Sequence, residues 1–171
     1  MSRTGKPKPD GSRPARPRRR DPDTAGPGAP GNDPRAVALA AELSSALKEL
    51  HRALIRAEIG DDPALQNPYT ALFALIGDPR FAWMGPLSQL IARIDQQVAD
   101  GGIAGMDVAA GLGAEAARLI GEGSGEALAA FRMRHVMALQ KQPEAGLATG
   151  RLRKVLAKVL AQLPEAGETG R

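Results

Sequence analysis

The two histidines of the chain, His51 and His135, lie far apart in the sequence. Neither belongs to a His-Glu-x-x-His or Glu-x-x-His pattern, which would place two metal ligands on one helical face. The sequence contains no nucleophile elbow, Walker loop or dinucleotide fingerprint. Because cysteine is absent, thiolate catalysis and cysteine-based metal sites are excluded. We therefore expect no catalytic residue, no metal site and no cofactor.

An enzyme that uses His51 as a base would need a carboxylate beside the imidazole. Glu58 and Asp95 are the candidates for that carboxylate. This hypothesis ranks last, because no further pattern supports it. His135 shares a helical stripe with Phe131 and Leu139, which is typical of a core histidine.

Two stretches offer side chains for recognition rather than catalysis. Residues 50–58 carry a histidine and two arginines that suit an acidic or phosphorylated partner, although a solvated polar face is the simpler interpretation. Residues 78–95 hold Phe81 and the only tryptophan beside a Gly-Pro break. Such a segment is usually a core plug, since aromatic rings bury much area, and the alternative is an aromatic-lined groove. The predicted interaction surface consists of His51, Arg52, Arg56, Glu58, Arg80, Phe81, Trp83 and Asp95.

These stretches carry the patterns L-H-x-x-L-I-x-A-E and D-P-x-F-A-W-M-x-P-L-S-x-L-I-x-x-I-D. With the intervening Asn-Pro-Tyr segment, they resemble small helical bacterial proteins of unassigned function. The resemblance covers roughly residues 47–98. It implies a helical fold and a bacterial source, and it supplies no activity.

The N-terminal segment is strongly basic. Residues 1–20 have a net charge of +7, whereas the remainder of the chain has −3. Because residues 1–32 contain almost nothing apolar, we expect a disordered tail. Such a tail would bind nucleic-acid phosphates or an anionic surface weakly and in a salt-sensitive manner. The alternative is that the tail is only a solubilising leader. The candidate anion-binding residues are Arg13, Arg16, Arg18, Arg19 and Arg20.

Alanine and leucine dominate the remaining chain, which favours helix over sheet. Asp33-Pro34, Asn67-Pro68 and Asp78-Pro79 each read as a helix cap followed by proline at the first helical position. Apolar residues then recur at helical spacing over 34–59, 68–76, 87–98, 108–120 and 125–141, and again after Thr149, a predicted cap. Ser124 is the predicted cap of the segment 125–141 and Pro143 its predicted end. Within 108–120, Gly111 and Gly113 would permit a close approach between helices. We expect an all-α, irregular bundle of five main helices plus one or two short ones over 33–164, with a frayed end at 165–171.

These observations predict a non-enzymatic helical interaction or regulatory domain with a protein partner. Binding of nucleic acid or an anionic surface through the tail is the alternative, and self-association into a homo-oligomer stays open. No run approaches the roughly 18 apolar residues of a transmembrane segment, and no apolar segment follows the basic N-terminus. By elimination, we expect a cytoplasmic protein.

Overall fold

The computed structural model describes residues 32–121 and 125–162. Its α-helices are α1 (Pro34–Ile59), α2 (Pro68–Gly77), α3 (Gly85–Ala99), α4 (Met106–Ile120), α5 (Glu126–Lys141) and α6 (Pro143–Leu160). Two 3-10 helices span Pro63–Leu65 and Pro79–Met84. Every regular element in these ranges is helical, so the predicted all-α class is confirmed. The predicted tail up to residue 31, a predicted cap at Ser124 and the predicted frayed end at 165–171 lie outside the described residues.

The centre of the domain is α1. Its leucine stripe Leu43, Leu47, Leu50 and Leu54 is fully buried and packs against α3, α4, α5 and α6. The steps of three and four residues keep these side chains on one helical face. As predicted, α1 begins after Asp33, whose carboxylate accepts a hydrogen bond from the Arg35 amide at 2.9 Å.

Three more Asx-Pro pairs divide the chain between α1 and α3. The side chains of Asp62, Asn67 and Asp78 each accept a hydrogen bond from the amide two residues ahead, at 2.9–3.0 Å. They start the first 3-10 helix, α2 and the second 3-10 helix. The chain therefore makes three short elements here, rather than the one or two expected.

The predicted cap at Thr149 is wrong. Thr149 lies buried in the middle of α6, because α6 begins six residues earlier at Pro143. Proline disfavours the helical conformation for the residue before it, and Gln142 is extended, with φ −132° and ψ 112°. Pro143 thus ends α5 as predicted, and it also occupies the first position of α6, where its missing N–H costs nothing.

The contact between α4 and α6 is close at Gly113. A Cβ atom added to Gly113 would lie 2.7 Å from Cγ1 of Val159, whereas one added to Gly111 would meet nothing within 4 Å. The expectation that these glycines permit close helix approach therefore holds for Gly113 alone. Among the described residues, no helix is both long and apolar enough to cross a lipid bilayer.

This difference predicts opposite effects for two neighbouring alanine substitutions. Gly113→Ala should lower the free energy of unfolding by about 1–3 kcal/mol, because the methyl group overpacks the helix contact. Gly111→Ala, the matched control, should raise it by about 0.5–1 kcal/mol through helix propensity. Urea unfolding of both variants measures the two effects. A stabilised Gly113→Ala variant would contradict the close packing of α4 on α6.

Candidate functional site

The eight residues of the predicted interaction surface do not come together. His51 and Phe81 line one groove, between α1, α2 and the second 3-10 helix. Arg52 and Arg56 line another, between α1 and α6. The two arginines therefore do not share a groove with the histidine. Arg56 pairs with Glu144 of α6 at 2.9 Å.

Glu58 and Asp95 each form a salt bridge with a basic side chain on a neighbouring helix. Glu58 accepts from Arg134 of α5 at 3.2 Å, and Asp95 of α3 accepts from Lys48 of α1 at 2.8 Å. The hydrogen bonds that Asp95 accepts from Lys48 and from Ser44 hold the pKa of its carboxyl below the ordinary value. His51 forms a hydrogen bond with neither of these carboxylates. The enzyme hypothesis requires one of them beside the imidazole, and the structure does not place it there.

Arg80 lies in the second 3-10 helix, three residues after the end of α2. Its guanidinium donates to Asp78 at 2.8 Å and to Asp62 at 3.1 Å. These two aspartates cap the 3-10 helices that precede and follow α2. Arg80 therefore connects the two ends of the α2 segment and positions it.

Trp83 packs into the domain. Its ring lies 5.5 Å from Phe131, which in turn lies 5.8 Å from His135. Phe81 is buried, while Trp83 is half-buried. The core-plug interpretation of this aromatic segment agrees with the packing, and Trp83 does not lie beside Arg52.

The groove that contains His51 has a volume of about 500 Å³. Its walls are largely apolar and come from Ile55 of α1, Leu75 and Ile76 of α2, and Phe81 and Met84 of the second 3-10 helix. We call it the α2 groove. Recognition pockets typically combine such apolar walls with a few placed polar groups.

His51 and Ser88 supply polar groups to the α2 groove, with Nε2 and Oγ 3.1 Å apart. Ser88 also donates to the carbonyl of Met84 at 3.2 Å. A hydroxyl has one proton, so Ser88 accepts from Nε2–H when it donates to Met84. In this arrangement His51 is the donor of the bond between the two side chains. Burial lowers the pKa of His51, which favours the neutral ring.

The outer face of α2 is exposed and apolar. Tyr69, Leu72, Phe73 and Ile76 are 75%, 54%, 74% and 79% exposed, and α2 contains no buried residue. Their spacing of three, four and seven residues aligns them as one stripe. We call these four residues the α2 stripe. It adjoins the α2 groove, because Ile76 belongs to both.

The sequence predicts a helix at the position of α2 but predicts no role for it. The available signal was its composition, since none of its ten residues is charged. A helix that is apolar all round normally lies in a core. Because α2 packs mainly against the two 3-10 helices, its outer apolar face is left in solvent.

A smaller apolar patch lies on α5. Met133, Val136 and Met137 are exposed at a spacing of three and four residues. The opposite face of α5 buries Phe131, His135 and Ala138. This α5 patch contains no aromatic residue and offers matched control positions for the α2 stripe.

Comparisons of the chain with protein-family models, with curated proteins and with solved structures gave no match.

The buried histidine predicts a pH effect on stability. His135 is buried, and its Nε2 lies 2.9 Å from Oγ1 of Thr149, which donates to the carbonyl of Ala145. Burial, and secondarily Arg153, lower the pKa of His135 below 6.5. The unfolded chain therefore takes up the proton more readily, and stability falls as the pH drops below about 6.5.

Denaturant unfolding at about pH 7.5 and about pH 5 measures this loss, because ordinary aspartates stay ionised through most of that window. His135→Gln should reduce the difference between the two free energies of unfolding. His51→Gln should reduce it too, since burial also lowers the pKa of His51. An unchanged difference in His135→Gln would show that His135 is not protonated more easily on unfolding.

Proposed function

We propose that this chain is a non-enzymatic interaction or regulatory domain that binds a protein partner through the α2 stripe and the α2 groove. The observation that supports this most strongly is the exposure of four large apolar side chains on one helical face. Exposed patches of several hundred Å² on soluble domains usually mark binding surfaces.

The arrangement matches a known mode of recognition. In helix-in-groove binding, residues at positions i, i+3, i+4 and i+7 of a helix fill an apolar groove. Tyr69, Leu72, Phe73 and Ile76 have this spacing, and an apolar groove lies beside them. The His51–Ser88 pair would add hydrogen-bonding specificity at the groove wall.

The ends of α2 are held in place, which favours binding. Asn67 caps the helix by accepting from the Tyr69 amide at 2.9 Å, and the Thr70 hydroxyl donates its one proton to the Ala64 carbonyl at 2.6 Å, with the Asn67 carbonyl 2.9 Å away as the alternative acceptor. Together with the Arg80 contacts, these bonds order the helix before a partner arrives. Preorganisation lowers the entropic cost of binding.

Photo-crosslinking in the producing cell tests this proposal. Benzoylphenylalanine at position 73 should give a discrete protein adduct, because Phe73 lies in the middle of the α2 stripe. The same group at position 133, on the α5 patch, is the control and should give little adduct. Mass spectrometry of the adducts identifies the captured protein. Equal capture at both positions, or none at position 73, would contradict the proposal.

A second candidate function rests on the charge of the N-terminal residues, which lie outside the described part of the structure. The net charge of +7 over residues 1–20 suits nonspecific binding to nucleic acid phosphates. The charge alone supports it, since these residues offer no aromatic ring for base stacking.

Neutralising the tail tests this second candidate. Replacing Arg13, Arg16, Arg18, Arg19 and Arg20 with glutamine should abolish retention of the full chain on DNA at low salt. Replacing the same number of exposed basic residues in α5 and α6 is the control and should leave most of the retention. Unchanged retention after the tail substitutions would exclude tail-mediated binding.

A further inference from the structure

We infer that the partner of the α2 stripe is a second copy of this chain, bound across a twofold axis with the two α2 helices antiparallel. This inference rests on the proposed function and names the partner of the same site. Each copy would cover the α2 stripe of the other and reach the rim of its α2 groove.

The exposed area of the α2 stripe is sufficient for such a pair. Tyr69 and Phe73 are 75% and 74% exposed, and a fully exposed aromatic side chain presents roughly 150–250 Å². With the smaller Leu72 and Ile76, the stripe exposes on the order of 500 Å². Complete burial in two copies would cover about 1,000 Å², the threshold for a specific interface. The walls of the α2 groove would add to this area.

Charge does not oppose self-association. A twofold contact brings each residue close to its own kind, so a charged helix would repel itself. α2 has no charged residue. Asp62 and Asp78, which flank α2, are already engaged by Arg80. The helix can therefore face its own copy without repulsion from its own side chains.

Other occupants fit the α2 stripe less well. Residues 1–31, 122–124 and 163–171 contain Met1 and Leu163 as their only large apolar residues, so these segments cannot cover the stripe. A membrane-surface helix normally carries lysine or arginine on its polar face, and α2 has neither. A second copy, by contrast, supplies a matching apolar stripe.

The twofold arrangement predicts a register. Leu72 and Phe73 lie at the middle of the α2 stripe and would meet their own counterparts near the axis. Tyr69 of one copy would lie near Ile76 of the other. Apolar side chains at this spacing interdigitate between paired helices.

The mass of the purified full chain in solution provides the first test. We expect a dimer of the 17.9 kDa chain at roughly 100 µM by sedimentation equilibrium, with a dissociation constant in the micromolar range. Phe73→Glu should weaken association at least about tenfold, because it buries two like charges near the axis. Val136→Glu, the matched control on the α5 patch, should leave the dimer intact. Both positions are exposed, so neither change removes a core contact.

Crosslinking through single cysteines provides the second test. The chain has no natural cysteine, so any disulfide must join the introduced residues. Leu72→Cys should form a disulfide-linked dimer on mild oxidation, because cysteines near the axis come within the roughly 7 Å Cα separation that a disulfide allows. Met133→Cys, on the α5 patch, should form little disulfide-linked dimer, because its cysteines lie away from the twofold axis.

The outcomes separate this inference from the proposed function. A monomeric wild-type chain at roughly 100 µM, above the expected micromolar dissociation constant, overturns the second-copy inference. If position 73 then captures a different protein in cells, the proposed function stands. Loss of the dimer in Val136→Glu, or crosslinking of Met133→Cys, would place α5 in the contact and overturn the α2 twofold. Vesicle binding that depends on Phe73, with no dimer, would assign the stripe to a lipid surface and overturn both.

Discussion

Burial of the α1 leucine stripe is the constraint on which the rest of the domain depends. Leu43, Leu47, Leu50 and Leu54 are fully buried, and burying each such side chain stabilises the fold by about 1.5–3 kcal/mol before entropy is counted. The side chains that enclose them come mainly from α3, α4, α5, α6 and the second 3-10 helix. The ion pairs between α1 and its neighbours, such as Lys48–Asp95 and Arg56–Glu144, are largely exposed, so packing rather than charge determines the arrangement.

The exposed position of α2 follows from this arrangement. α1 is enclosed by longer helices, and α2 is carried between two 3-10 helices whose capping aspartates are joined by Arg80. Only the inner side of α2 approaches the core, through Ala74 and Leu75. The outer side keeps its apolar residues in water, which stabilises nothing in the isolated domain. The binding role that we propose would offset that cost and would account for an uncharged helix at the surface.

Local sequence signals were sufficient to predict the helices. The site could not be predicted in the same way, because it depends on which helices pack against one another. The Asx-Pro caps at Asp33, Asn67 and Asp78 act within two residues, so their outcome could be read from sequence. His51 and Arg52 are adjacent in sequence, but a helix turns by about 100° per residue, and the two side chains therefore face different neighbours. The exposure of Phe73 was also beyond prediction, since apolar composition favours burial. Thr149 was misassigned because Pro143 supplied an earlier helix start.

Hydrogen–deuterium exchange of the full chain at two concentrations tests the central claim, that the α2 stripe is a contact surface for a second copy, most directly. Exchange reports local opening, and it slows where a contact forms. On raising the concentration across the dissociation constant, amides of residues 69–77 should become protected, while those of the exposed α5 face should not change. Unchanged exchange in α2, or protection confined to α5, would contradict the account.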